Sequence, residues 1–441
     1  MKANEIAARF PCENLTAGAN GHLFFAGHDT TALAAQYGTP LYLLDEARIR
    51  KNCRTYKAAF AACYPEGSLP LYAGKANAFK QIYRIMREED MGIDVVSCGE
   101  IFTAKSAGFD MSKAFFHGNN KTDADIAFAM DAGVGVFVAD NAEEVLAIEA
   151  EAAKRGIKQN VILRLTPGID THTYAAVNTG KVDSKFGAAI ATGQAENITK
   201  LALAQAHIDL LGYHCHIGSQ VFTEDVFERA AVIMIEFMAE MRRKFGFTAA
   251  LLNLGGGYGV RYTADDPVLD IGEKIASVSE TLKAACARAD FPVPKVCMEP
   301  GRSIVADAGL TLYTVGSLKQ IPGYKNYVSI DGGMPDNPRF ALYRSSYTCL
   351  CANRINKDCG LTASLVGRCC ESGDIIQENV PFPAAIGRGD IVAVCTTGAY
   401  NYSMASNYNR IPRPATVMLT ETDSYVAVKR ETFEDLVHLD V

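Results

Sequence analysis

The chain has 441 residues, of which 49% are hydrophobic and 21% charged, with a formal net charge of -7. The acidic balance argues against nucleic acid as a main partner, and no apolar run reaches the ~18 residues that a membrane helix needs. Met1 to Phe10 mixes Lys2, Glu5 and Arg9 among short apolar residues, unlike the uninterrupted core of a signal peptide. Thirteen scattered cysteines, an odd number, fit reduced thiols in a cytoplasmic protein better than a disulfide framework. Cys349, Cys351, Cys359, Cys369 and Cys370 match no zinc spacing, so packed or idle thiols are the favoured reading.

After Gly38-Thr39-Pro40 short β-rich runs alternate with helical ones. The predicted strands are Leu71 to Ala73, Ile93 to Ser97, Ala114 to His117, Gly135 to Ala139, Val161 to Leu165, Leu210 to His216, Leu251 to Leu254 and Val296 to Glu299. Helical stretches such as Ala142 to Arg155 and Asp225 to Lys244 lie between them. Eight such strands point to an α/β fold, a (β/α)8 TIM-type barrel over residues 37–305. From Leu310 onward the runs are β-rich with little helix: Leu310 to Val315, Tyr327 to Ile330, Thr362 to Val366, Asp390 to Cys395, Ala415 to Leu419 and Tyr425 to Lys429. Residues 1–36 and 306–441 therefore form a mainly antiparallel β domain, into whose sheet His22 to Ala26 is expected to pair.

Active sites of such barrels lie at the C-terminal ends of the strands, where the unusual residues of this chain fall. Lys75 follows strand one. A lysine buried there would lose hydration and shift toward the neutral, nucleophilic amine that forms a Schiff base. Gly255-Gly256-Gly257 follows strand seven. Its amides could hold an anion, with Ser219 adding a hydroxyl, or the triplet is simply a tight turn. Glu299 closes strand eight. It either pairs with a pyridine nitrogen, improving the ring as an electron sink, or serves as a cap or ion-pair partner of Arg302. His214 and His216 face the same way on one strand. They read as a metal pair, or as one ring stacked on a planar cofactor beside a buried neighbour. The other histidines, His22, His28, His117, His172, His207 and His438, supply no obvious ligand set, although His117 ends strand three and keeps a metal in play. Cys370 beside Glu371 is a packed thiol or a proton donor next to an ammonium contact.

Taken together these segments resemble the fold-type III pyridoxal-phosphate (PLP) decarboxylases, and among them the diaminopimelate decarboxylases. The similarity runs through Tyr72 to Asn77, Asp94 to Ser97, His117 to Lys121, Asp183 to Gly187, His214 to Gln220, Gly255 to Gly259, Glu299 to Arg302, Asp331 to Met334, Arg339 to Tyr343, Cys370 to Asp374 and Gly398 to Tyr400. The resemblance implies that Lys75 carries PLP and that His216 stacks on its ring. Ser219, Gly257, the backbone near Gly301, and Tyr400 would hold its phosphate, and Glu299 would pair with the ring nitrogen. Cys370 would return a proton after CO2 leaves, reaching in with Glu371 from the partner subunit of a homodimer. No metal is implied. Arg302 and Arg339 would clamp the distal carboxylate of meso-2,6-diaminopimelate, with Tyr343 and Tyr400 beside them and Glu371 on the ammonium. The implied reaction gives L-lysine and CO2. Arginine, ornithine or carboxynorspermidine are the rival substrates. A cofactor-storage barrel would lack the β domain, and a racemase would place arginine where Glu299 stands. Cys98 and Phe340 depart from the usual pattern, each away from an implied contact.

Overall fold

Alternating strands and helices here form a barrel, seen in a computed structural model that describes residues 6–169, 184–222 and 225–441. His172 and Asp183 lie outside the described residues. The chain divides into two compact units, Asn52–Gly259 with Leu269–Gly301, and Met1–Lys51 with Val260–Val268 and Arg302–Val441.

In the first of these, eight parallel strands run Leu69–Ala73, Gly92–Val95, Ala114–Phe116, Val136–Ala139, Gln159–Thr166, Ile208–Cys215, Leu251–Asn253 and Lys295–Met298. Each pairs with the next, and the eighth pairs with the first, so the barrel is closed. Leu71, Phe115, Ile162 and Leu251 cluster with Val136, Val138 and Cys297. Strands one, three, five and seven are not neighbours, so these side chains meet through the barrel interior, as layered barrel cores do. The helices are written locally. Ala142–Arg155 starts at Asn141, whose side chain accepts the Glu144 amide, and it ends at left-handed Gly156. Its acidic residues stand in the first turn and its basic ones in the last, complementing the helix dipole. Val145, Ile148 and Ala152 form its buried stripe.

The second unit is built on a mostly antiparallel sheet. In spatial order it runs Ile375–Pro383, Cys359–Val366, Lys325–Ile330, Gly309–Ile321, Leu41–Asp45, Ala415–Leu419 and Ser424–Val428. Ile391–Cys395 pairs with both Gly309–Ile321 and Cys349–Cys351. Two expectations change. Leu41–Asp45, inside the segment expected to be barrel, is a central strand of this sheet, and all five of its residues are buried. Such a two-sided apolar run reads like a parallel barrel strand. His22 to Ala26 does not join the large sheet. Leu23–Phe25 pairs with Leu15–Ala17 and His28–Asp29 in a three-stranded sheet of its own, while Leu23 and Phe25 pack into the same core as Leu41, Leu43 and Leu310.

Asp336 in this unit is 1% exposed and accepts hydrogen bonds from Tyr313 Oη and the Gly333 amide. Burial pushes its carboxyl up to about 7, against the pull of the Tyr313 bond. The folded chain therefore holds a proton that the unfolded chain releases near pH 3.9. Stability from this group is full below about pH 4, falls as pH rises toward about 7 and levels off above, a loss of at most about 4 kcal/mol. We expect the thermal midpoint of the native chain to drop between about pH 4 and pH 7, and Asp336→Asn to flatten that drop. An equal drop in the variant would assign it elsewhere.

Candidate active site

The polar residues of the barrel gather at the C-terminal strand ends. Glu299, just past strand eight and 7% exposed, is the hub. Asn253 Nδ2 donates to its Oε1 at 2.7 Å, His117 Nε2 lies 2.9 Å from Oε1, and His214 Nε2 lies 3.2 Å from Oε1. Burial alone would raise the Glu299 carboxyl, but the two histidines hold it well below the ordinary range. It is a buried, anionic, immobilised acceptor. His214 is driven by burial down to about 4, so it is a neutral ring. Asp94, 1% exposed, stands 3.7 Å from His117 Nε2, and burial raises its carboxyl.

His216 is separated in role from His214. The Gly256 amide donates to its Nδ1 at 3.2 Å, which leaves the ring proton on Nε2. Burial and the Lys75 charge push its pKa well below the usual value, so it presents a neutral aromatic face. The glycine triplet allows strand ends to touch. A Cβ on Gly256 would lie 2.1 Å from the Glu299 carbonyl, and one on Gly257 would lie 2.2 Å from that of Gly218. Two of the three amides expected to face an anion are already committed, Gly255 to Asn253 Oδ1 and Gly256 to His216 Nδ1. Gly257 is left beside the half-buried Ser219.

Lys75 sits in the tight turn Gly74–Ala76 directly after strand one. Tyr72 Oη donates to the Asn77 carbonyl at 2.8 Å and fixes that turn. Lys75 is exposed, not buried as expected, while Gly74 and Ala76 on either side are buried. Gly301 packs against it from strand eight, since a Cβ there would meet those of Ala73 at 2.9 Å and Ala76 at 3.0 Å. The charge of Lys75 is felt at Asp94, Glu100 and His216.

In the second unit the two buried arginines share an aromatic setting. Arg302 Nη1 donates to Tyr262 Oη at 2.5 Å, and its guanidinium lies 4.8 Å from the Tyr400 ring centroid. Arg339 lies 5.3 Å from the Tyr400 ring and 5.5 Å from the Tyr343 ring, and its Nη2 donates to Ser345 Oγ at 3.2 Å. Tyr400 holds this place with φ of +63°, a left-handed backbone that costs a bulky residue about 1–3 kcal/mol. Cys370 and Glu371 stand apart in an exposed turn. The Cys370 amide donates to Asn409 Oδ1, and Glu371 accepts the Gly373 amide. All thirteen cysteines are free. Among the described residues the group with metal-ligand geometry is His117, His214 and Glu299, not the Cys349 to Cys370 set.

The sequence profile described as "Pyridoxal-dependent decarboxylase, pyridoxal binding domain" matches residues 46–306. Diaminopimelate decarboxylase of Bacillus subtilis (strain 168) is 44% identical over 96% of this chain and 96% of that protein. The chain belongs to the diaminopimelate decarboxylase family of pyridoxal-dependent enzymes. The enzyme of that name from Staphylococcus aureus (strain COL) is 39% identical over 95% of this chain and 97% of its own. Among solved structures, diaminopimelate decarboxylase from M. jannaschii in complex with L-lysine has a TM-score of 0.89 at 31% identity, covering 97% of this chain and 98% of that one. The Helicobacter pylori enzyme, also with L-lysine, has a TM-score of 0.84 at 29% identity, covering 93% and 99%. The buried anion at Glu299, the neutral His216 ring and the backbone cradle at Gly257 have the chemistry that the family's cofactor needs. Position marks His117 at the end of strand three and would have flagged Asn253, but the partnership of both with Glu299 spans long sequence separations.

Proposed function

We propose that this chain is a PLP-dependent carboxy-lyase that converts meso-2,6-diaminopimelate to L-lysine and CO2, the last step of lysine biosynthesis. The observation that carries the reading is the anionic Glu299, locked between His117, His214 and Asn253. Such an acceptor keeps a proton on a pyridine nitrogen. PLP, when bound, supplies the electron sink for the carbon that loses CO2.

The chain's own groups divide the remaining work. Lys75 would hold the cofactor and hand its place to the substrate amine. His216 would cover the ring face. Ser219, Gly257, Gly301 and Tyr400 would hold the phosphate, with Arg302 nearby. Cys370 would deliver a proton from Sγ to the carbon that has lost CO2. The exposure of Cys370 and Glu371 suits residues that serve a partner subunit, so the working unit is a homodimer with shared sites. The free thiols support a reducing, cytoplasmic setting.

Arg302 and Arg339 would bind the carboxylate of the substrate's distal amino-acid group, with Tyr343 beside them and Glu371 on its ammonium. Two buried guanidiniums set against the Tyr400 ring favour an anion and disfavour the cationic tails of arginine or ornithine. The test is CO2 release by the PLP-loaded protein from meso-diaminopimelate, arginine and ornithine. We expect release from diaminopimelate, and we expect Arg339→Ala to lower kcat/KM by about 30-fold or more, the scale of truncating one partner of a buried charge pair. Release from arginine or ornithine alone would overturn the substrate assignment.

A further inference from the structure

We infer that Asn409 and Asp374 are positioning residues that aim Cys370, by holding the backbone amides from which its turn is hung. The inference rests on the proposed role of Cys370 as the proton donor.

Cys370, Glu371 and Ser372 are exposed and belong to no helix or strand. An exposed turn gains little from packing, and water can satisfy its amides. Here four consecutive amides are instead committed to the protein. Gly367 donates to the Asp374 carbonyl at 3.0 Å, and Arg368 donates to the Gly332 carbonyl at 3.1 Å. Cys369 donates to Asp374 Oδ2 at 2.8 Å, and Cys370 donates to Asn409 Oδ1 at 2.8 Å. The last two acceptors are side chains, and they hold the donor residue and the one before it. Both acceptors are fixed in turn. Asp374 is buried, its Oδ1 accepts the Met334 amide at 2.6 Å, and a Cβ on Gly333 would meet that oxygen at 2.6 Å. The carboxylate fills a slot left by the glycine and ties the Cys370 turn to the Gly332 to Met334 loop. Asn409 has a left-handed backbone, with φ of 53° and ψ of 22°. Asparagine is one of the few residues with a side chain that adopts this conformation readily. Asn407 braces the same turn, since its Nδ2 donates to the Ile411 carbonyl at 3.1 Å and to Glu431 Oε2 at 2.6 Å.

The arrangement has a chemical consequence. Cys370 passes the proton on Sγ to the carbon that has lost CO2, and the thiolate left behind takes its next proton from solvent. Such a transfer needs donor and acceptor within hydrogen-bond reach, and a misplacement of about 1 Å costs about 100-fold. A donor on an exposed turn meets that demand when its backbone is held from both sides, by Asp374 at Cys369 and by Asn409 at Cys370.

The test uses the full-length, PLP-loaded protein. Asn409→Gly suits the left-handed backbone but removes the acceptor, whereas Asn409→Asp keeps an acceptor oxygen and tolerates the same backbone. We expect Asn409→Gly to lower kcat about tenfold with KM for meso-diaminopimelate within about twofold, and Asn409→Asp to stay within about twofold of the native kcat. Hydrogen–deuterium exchange supplies a readout independent of turnover. The Cys370 amide should exchange about tenfold faster in Asn409→Gly and at the native rate in Asn409→Asp. Asp374→Asn keeps the shape but sets an amide donor against the Met334 or Cys369 amide. It should speed exchange at that amide by about the same factor and lower kcat in step. Unchanged kcat in both Asn409→Gly and Asp374→Asn, or equal losses in Asn409→Gly and Asn409→Asp, would overturn the inference. Cys370→Ala is the control. If it lowers kcat and the positioning variants do not, only the positioning inference fails; if it leaves kcat unchanged, the role of Cys370 itself fails.

Discussion

Glu299→Gln is expected to lower kcat by about two to three orders of magnitude, the scale for removing one preorganised electrostatic contact in a buried site. The substitution keeps the shape and the acceptor for Asn253 Nδ2 while removing the charge. The two histidines and the Asn253 amide then surround a side chain without charge, and no anion is left there to favour a proton on the cofactor nitrogen. The electron sink weakens while the cofactor's other anchors stay in place. Substrate KM should therefore move much less than kcat, which marks an interaction made mainly in the transition state. Because its carboxyl is held well below the ordinary range, Glu299 contributes stability above the unfolded carboxylate pKa of about 4.3 that is lost as pH falls through the folded value. The variant should lose that part of the acid dependence. A kcat within about fivefold of the native value would remove Glu299 from the chemistry.

Lys75→Ala should abolish turnover and the yellow colour of the bound cofactor together, a loss of about four orders of magnitude or more, as expected for removing a covalent catalyst. The exposure of this lysine and the fixed turn under it imply that the change leaves the fold intact, so the thermal midpoint without cofactor should stay close to the native one. The variant also tests the shared site. Cys370→Ala should be poorly active alone. Mixing it with Lys75→Ala under conditions that exchange subunits should restore about a quarter of native activity, because half of the dimers are mixed and each has one intact site. No recovery would place Cys370 and Lys75 in the same subunit's site or deny the dimer.

The eight barrel strands were legible because strands buried on both faces leave short, nearly continuous apolar runs between helices with clear caps. That same signature hid Leu41–Asp45, which is buried on both faces in a different sheet. Ile375–Pro383 was illegible for the opposite reason. Gln377, Glu378, Asn379, Pro381 and Pro383 break the pattern, and register shifts accompany Asn379 at φ of +55°. At the site, Lys75, His216, Glu299 and the glycine triplet stood out by type and place. The expectation of a buried lysine failed because Lys75 sits past the strand end, on a turn, where the layered core has stopped. The hold of His117, His214 and Asn253 on Glu299, and of Tyr262 on Arg302, had no local signal. Those contacts depend on barrel closure and on a loop folding back, which no spacing along the chain encodes.

The covalent cofactor link is tested most directly by borohydride reduction of the PLP-loaded protein, followed by proteolysis and mass spectrometry of every lysine-containing peptide. We expect the phosphopyridoxyl mass on Lys75, with the other lysines unmodified, and loss of that mass when meso-diaminopimelate is added before the reductant. Modification at another lysine in place of Lys75, or none at all, would contradict the account.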